Sequence, residues 1–290
     1  MAIRFNRDRA GVEFFSASGA MGFGGMGWPW EKLMPKKYFE PSLFCAVLKT
    51  ITLNKTPGNG IFPWFKIRPI FREKKLIGFV NALGLPSPGF EKFLSRHLSR
   101  LNFENRQIVV SITGTKDEMV SMASRLDVFD LVAIELNVSC PNAGENLKIN
   151  TREMAKLCRT VTQNTRHDLI LKISYAHDFI NLSKEAEGLV RAVSFNSVPW
   201  HIVFPHKKSP FEKYGNGGVS GKIVRWFYED MTTKIKRFTD IPVIMPVWDY
   251  EDIKTNEEMG ADAHSFGSVF IARPWFPTLA IKRHQKENKD

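Results

Sequence analysis

The run Leu131 to Leu136 constrains the fold more than any other stretch. It is apolar enough for a strand buried on both faces, and it passes directly into Asn137-Val138-Ser139-Cys140-Pro141-Asn142. Pro141 has no N–H to offer a ladder, so the strand stops before it and presents Asn137, Cys140 and Asn142 at its carboxyl end. Barrel enzymes keep their chemistry at that end. Taken alone, the stretch reads equally as a buried strand followed by an Asx-rich turn, because Asn and Ser are ordinary turn residues.

Strand and helix patterns alternate along the rest of the chain. Strands are predicted at Val12 to Phe15, Leu43 to Leu48, Ile108 to Ile112, Leu169 to Ile173, Ala192 to Phe195, Val243 to Met245 and Ala263 to Phe266. Helical spacing predicts Trp30 to Tyr38, Phe90 to Leu101, Asp117 to Arg125, Thr151 to Val161, Ile223 to Arg237, Asp249 to Met259 and a last helix from about Pro274. Between Thr52 and Lys75 several Pro and Gly mark a long excursion that returns through Ile77 to Val80, and ordered loops of that length usually wall a site. About eight strand-then-helix units give the expected fold class, α/β, as a TIM (β/α)8 barrel. A length of 290 residues suits one such barrel, so a single domain over residues 1–290 is expected. An open doubly wound sheet is the alternative, but no GxGxxG follows the first strand.

Composition excludes several functional classes. A hydrophobic fraction of 43% with 24% charged residues is that of a globular chain with a sizeable core. The net charge of +11 attracts anions in general, yet Lys and Arg are scattered through predicted helices with no long basic run, so nucleic acid is not an expected partner. No apolar segment reaches the roughly 18 residues that span a bilayer, and Met1 to Arg9 is too polar for a signal peptide, so no stable membrane insertion is expected. Cys45, Cys140 and Cys158 have no zinc or cluster spacing, so no metal is expected. Their odd number argues against a disulfide framework and for the reducing cytoplasm. Cys45 and Cys158 read as small core residues, and only Cys140 falls in a loop.

At predicted strand ends stand Ser18, Lys49, Asn81, Asn137, Cys140, Asn142, Lys172 and Asn196. This set is rich in amides and cations and has no pair of acids or histidines, which disfavours hydrolysis. Convergent Asn side chains suit a planar ligand with alternating carbonyl and N–H groups, since each amide both donates and accepts. Lysines suit a carboxylate or the electron-rich edge of a cofactor. A loop thiol acts as a general base where its thiolate is favoured.

With these residues in place the sequence resembles the dihydroorotate dehydrogenases and their flavin-barrel relatives, and the resemblance runs over most of the chain. Ser16-Ala17-Ser18-Gly19 looks like the family's first flavin loop, Lys49-Thr50-Ile51-Thr52-Leu53 like its second-strand lysine motif, and Asn81-Ala82-Leu83-Gly84-Leu85-Pro86 like its substrate loop. Asn137-Val138-Ser139-Cys140-Pro141-Asn142 is similar to the signature loop, with cysteine where membrane-associated members carry serine. Lys172 matches the lysine beside the flavin pyrimidine ring, Asn196-Ser197 the sixth-strand substrate motif, and Gly217-Gly218-Val219-Ser220-Gly221 the glycine loop near the flavin phosphate.

The resemblance implies FMN across the barrel mouth and oxidation of dihydroorotate, a small anionic pyrimidine, to orotate in pyrimidine synthesis. It implies Cys140 as base. Lys49, Asn81, Leu83, Gly84, Leu85, Asn137, Asn142, Asn196 and Ser197 are the implied substrate contacts. The implied cofactor contacts are Ala17, Ser18, Gly19, Lys49, Thr50, Asn137, Lys172, Gly218, Gly221, Gly267 and Ser268. The cysteine points to the soluble branch, with a homodimer and an electron-transfer partner subunit as expected assemblies. Where relatives leave the seventh strand through glycines whose N–H groups cradle the FMN phosphate, this chain reads Met245-Pro246-Val247-Trp248-Asp249. Pro246 offers no N–H, and the acids Asp249, Glu251 and Asp252 oppose a phosphate, so weakened FMN binding is expected, with Arg273 as a compensating charge. Two other readings stay open, a flavin barrel acting on another cyclic amide and a degenerate barrel without catalysis.

Overall fold

The structure is a computed structural model and describes residues 2–6, 11–60, 63–138 and 150–288. The described strands, in chain order, are β1 (Phe14–Ser16), β2 (Ala46–Val47), β3 (Ile67–Arg72), β4 (Lys75–Asn81), β5 (Ile108–Ile112), β6 (Ala133–Asn137), β7 (Leu169–Ile173), β8 (Ala192–Phe195), β9 (Val198–Pro199), β10 (Gly218–Ser220), β11 (Val243–Val247) and β12 (Ala263–Phe266). The helices are α1 (Phe90–Arg96), α2 (Lys116–Leu126), α3 (Thr151–Thr162), α4 (Phe179–Ala186), α5 (Trp200–Val203), α6 (Arg225–Phe238), α7 (Glu251–Glu258), α8 (Val269–Ala272) and α9 (Phe276–Glu287).

Eight strands pair in parallel in the order β1-β12-β11-β8-β7-β6-β5-β2. The sheet closes where the Cys45 N–H donates to the Phe14 carbonyl at 2.9 Å and the Ser16 N–H to the Cys45 carbonyl at 3.0 Å. This is the expected barrel. Closure removes both sheet edges and leaves alternate residues of each strand facing inward. The lower interior is apolar, with Phe15, Val47, Val109, Ala133, Ile170, Ala192, Ile244 and Ala263 packed on Ile3, Phe5 and Val12. Two residues further along the same strands the inward positions become Ser111, Glu135, Lys172, Ser194 and Ser265, all buried. The barrel thus carries a polar upper layer on an apolar plug. The larger apolar cluster fills the space between strands and helices, with Ile134, Leu136, Leu171 and Val193 packed among residues such as Met122, Leu157, Leu182 and Met231.

Residues 67–81 and 198–220 form a second, four-stranded sheet at the barrel rim, ordered β3-β4-β10-β9 and antiparallel throughout. The strand reading at Ile77 to Val80 therefore belongs to this rim sheet. The segment Gly217 to Gly221, expected as a loop, supplies its strand β10, paired Gly218 to Asn81 and Ser220 to Phe79. A Cβ at Gly78 would stand 2.3 Å from the Ser220 carbonyl oxygen, so glycine is required for the two strands to approach.

Helix boundaries agree with the sequence reading to within a few residues except at four places. Trp30 to Tyr38 contains only a 3-10 turn at Glu31–Leu33, because Pro35 disfavours helical geometry in the residue before it. Helix α4 lies in a stretch read as connection; its start is capped by Asp178, which accepts the Asn181 N–H at 3.3 Å. The third is α5, a single turn in the crossover to β10, and the fourth is α8, a single turn before the last helix.

Candidate active site

A cavity of about 840 Å³ opens at the carboxyl ends of the barrel strands, between the polar upper layer and the rim sheet. Its floor is hydrogen-bonded throughout. Lys172 Nζ lies 3.3 Å from Glu135 Oε1, and Ser194 Oγ donates to Glu135 Oε2 at 3.0 Å. On the opposite side Asn137 Nδ2 donates to Thr50 Oγ1 at 3.1 Å, while Thr50 Oγ1 also meets Ser111 Oγ and Ser18 Oγ, each at 2.9 Å. Ser18 Oγ accepts the Thr50 N–H at 3.1 Å, and Thr113 Oγ1 donates to the Asn137 carbonyl at 2.8 Å. Six strand ends, those of β1, β2, β5, β6, β7 and β8, are thereby tied together, which fixes Asn137 and Lys172 without relying on loop order.

Most residues singled out in the sequence meet in this cavity. Ala17, Ser18, Gly19, Lys49, Thr50, Asn81, Leu83, Leu85, Asn137, Lys172, Asn196, Ser197, Gly221, Gly267 and Ser268 all line it. Asn196 is oriented by its Oδ1, which accepts the Ser197 N–H at 2.9 Å. Asn81 is placed at the end of β4, its Nδ2 3.4 Å from the Gly218 carbonyl. Two residues of the set lie off the cavity wall. Gly84 has φ +69°, and a Cβ there would stand 2.6 Å from the Asn59 side chain, so its role is to let the 82–85 loop turn over Asn59. Gly218 is a ladder residue of β10 paired with Asn81 and Pro199. Cys140 and Asn142 lie outside the described residues.

The cavity also contains walls that the motifs did not indicate. Trp28 and Trp30 stack at 5.8 Å with an interplanar angle of 4°, and both line it beside Glu31. Glu31 is 1% exposed, and burial pushes its carboxyl up to about 7 although its Oε2 accepts the Trp28 N–H at 2.7 Å. The signal available was the pair of tryptophans flanking Pro29 after a glycine-rich loop. Arg225 is a further wall; Nη1 is 3.1 Å from Asp252, Nε donates to Glu229 at 2.8 Å, and Nη2 is buried with no hydrogen-bond acceptor among the described residues.

The dihydroorotate dehydrogenase family profile matches residues 13–247. The chain belongs to that family. It is 29% identical over 282 residues to the catalytic subunit of dihydroorotate dehydrogenase B (NAD(+)) of Petrotoga mobilis, covering 91% of this chain and 88% of that protein. The corresponding subunit of Desulforudis audaxviator is 31% identical over 238 residues, covering 79% and 72%. A dihydroorotate dehydrogenase A (fumarate) of Lactobacillus delbrueckii subsp. bulgaricus is 27% identical over 238 residues, covering 79% and 73%. Dihydroorotate dehydrogenases are flavoprotein oxidoreductases, which makes the fit of a flavin to this cavity a physical question.

The ring end fits. Small residues at Ala17, Ser18 and Gly19 leave a planar group access to the backbone, and Asn137, Lys49 and Lys172 bring amide and cationic groups to the same wall. The phosphate end is different. Asp252 Oδ2 accepts the N–H groups of Trp248 at 2.7 Å and Asp249 at 2.8 Å, so two donors at the exit of β11 are already taken. Asp249 pairs with Lys222 at 2.7 Å and with Arg273 at 3.1 Å. Arg273 thus answers an acid of this chain before it could compensate a phosphate. Trp248 is buried against Phe79 at 6.4 Å, and a Cβ on Gly221 would meet its ring at 3.0 Å and Gly78 at 2.5 Å. Tight packing therefore accounts for the glycine at 221.

Proposed function

We propose that this dihydroorotate dehydrogenase family member binds a flavin, FMN, across the barrel mouth and oxidises dihydroorotate to orotate. The observation that carries the reading is the convergence of Asn81, Asn137, Asn196, Lys49 and Lys172 on one cavity at the strand ends. Asn137, fixed through Thr50, and Asn81 and Asn196 supply paired donors and acceptors for the pyrimidine ring; Asn142 joins them in this reading. Lys49 answers the substrate carboxylate. Cys140 takes the proton from ring carbon 5, and Lys172 sets positive potential beside the cofactor edge. A bound flavin supplies the hydride acceptor.

The catalytic subunits among the relatives support an electron-transfer partner subunit, and a homodimer in the cytoplasm completes the proposal. A second reading, a barrel that has lost flavin, is favoured by one observation, the two N–H groups already held by Asp252.

Orotate titration tests the site. Asn137→Ala and Asn196→Ala should each weaken orotate by about 1 to 3 kcal/mol, the cost of leaving buried partners unpaired. Melting temperature should hardly move for Asn196→Ala, whereas Asn137→Ala also removes the bond to Thr50 and should lower it. Unchanged orotate affinity in a folded variant would contradict the assignment, and loss of fold with normal affinity per folded molecule would reduce the amides to turn residues.

A further inference from the structure

The loop of residues 27–40, between β1 and β2, is absorbed by neither the barrel nor the proposed chemistry. It reads Trp28-Pro29-Trp30-Glu31-Lys32-Leu33-Met34-Pro35-Lys36-Lys37-Tyr38. Trp30, Tyr38 and above all Leu33, 87% exposed, turn their apolar surface to solvent. Helices α8 and α9 and the turn between them add exposed Ile271, Leu279 and Trp275. The two segments are tied together. The Glu40 N–H donates to Thr278 Oγ1 at 3.0 Å, Lys282 pairs with Glu40 at 2.7 Å, and Phe39 packs on Phe270 at 6.3 Å. Trp30 and Ile271 also line the cavity, so the face borders its mouth.

Charge indicates what this face meets. Lys32, Lys36 and Lys37 are exposed, and none shares an ion pair with a carboxylate among the described residues. The loop's own acids are withdrawn, Glu31 by burial and Glu40 by Lys282. Protein interfaces are depleted in lysine, whereas bilayer interfaces combine Trp and Tyr at headgroup depth with lysines that attract anionic lipid. We propose that this face docks on an anionic bilayer surface, with Leu33 and Trp30 entering the headgroup boundary and Lys32, Lys36 and Lys37 on lipid phosphates. The attachment is peripheral, since none of the described helices is long and apolar enough to cross a membrane.

Co-sedimentation of the full chain with phosphatidylcholine vesicles, with and without phosphatidylglycerol, tests the proposal. The protein should pellet with the anionic vesicles and release at high salt. The triple change Lys32→Gln, Lys36→Gln and Lys37→Gln should weaken binding on the order of 100-fold, as three cations near a charged surface require. Leu33→Ala, at a position too exposed to support the fold, should weaken it severalfold, and Trp30→Ala further. Phe71→Ala and Trp226→Ala, exposed apolar positions elsewhere, should bind as the parent does. Equal binding to neutral and anionic vesicles, no binding to either, or equal loss in the Phe71 and Trp226 controls would overturn the proposal; no binding to either is the result expected if the face receives a protein.

Discussion

Lys172 Nζ stands 3.3 Å from Glu135 Oε1 in the upper barrel layer, with both side chains buried. Each charge is tolerated there because the other compensates it, and Ser194 satisfies the second carboxylate oxygen. Lys172→Met should therefore strand Glu135 and cost about 3 to 5 kcal/mol in urea unfolding. Adding Glu135→Leu to it should recover most of that loss. A single variant within about 1 kcal/mol of the parent would show the pair to be uncoupled.

Glu31 gives the stability a pH signature. Its carboxyl is raised by burial from 4.5 to about 7 in the folded chain, so the folded state holds the proton more tightly than the unfolded state. Stability from this group is full below about pH 4.5 and is lost as pH rises to about 7. Glu31→Gln, permanently neutral, should match the parent near pH 4 and exceed it at pH 8 by on the order of 2 to 3 kcal/mol. A difference that stays constant across this range would show that the carboxyl is not the titrating group.

The phosphate end of the cavity should discriminate poorly between flavins. Lys222, Arg273 and Arg225 are matched there by Asp249, Asp252 and Glu229, so a phosphate gains little net attraction. FMN and riboflavin, titrated into apoprotein, should differ in affinity by no more than about tenfold, or 1.4 kcal/mol. Asp252→Asn should widen the gap in favour of FMN. A preference for FMN above roughly 100-fold in the parent would show the phosphate site to be whole.

The sequence disclosed the barrel and most of its mouth for different reasons. Runs such as Ile108 to Ile112 and Leu169 to Ile173 carry their burial in their own composition, Lys172 falls near the end of the second, and Asn81 and Asn196 end or follow strands of the same kind. What was not legible depended on distant partners. Val219 reads as part of a glycine loop and becomes a strand because Val80 pairs with it. Asp252 reads as a helix-start acid and does stand in the first turn of α7, but that its side chain turns back to the N–H groups of Trp248 and Asp249 is visible only in the fold. Glu31 falls within the predicted helix Trp30 to Tyr38, and its burial beside two tryptophans depends on how the loop folds back.

Cys140 is assigned as base from its motif alone. With FMN supplied in excess, Cys140→Ala should leave flavin binding intact and slow anaerobic flavin reduction by dihydroorotate by roughly 10² to 10⁴ fold. Reduction at the parent rate would remove Cys140 from the mechanism.

Oxidation of dihydroorotate in this cavity requires a bound flavin that takes the hydride. Anaerobic mixing of the flavin-loaded protein with dihydroorotate, followed by the visible flavin absorption, tests it most directly. The band should bleach with formation of one orotate per flavin. A bound flavin whose spectrum stays unchanged at saturating dihydroorotate would contradict it.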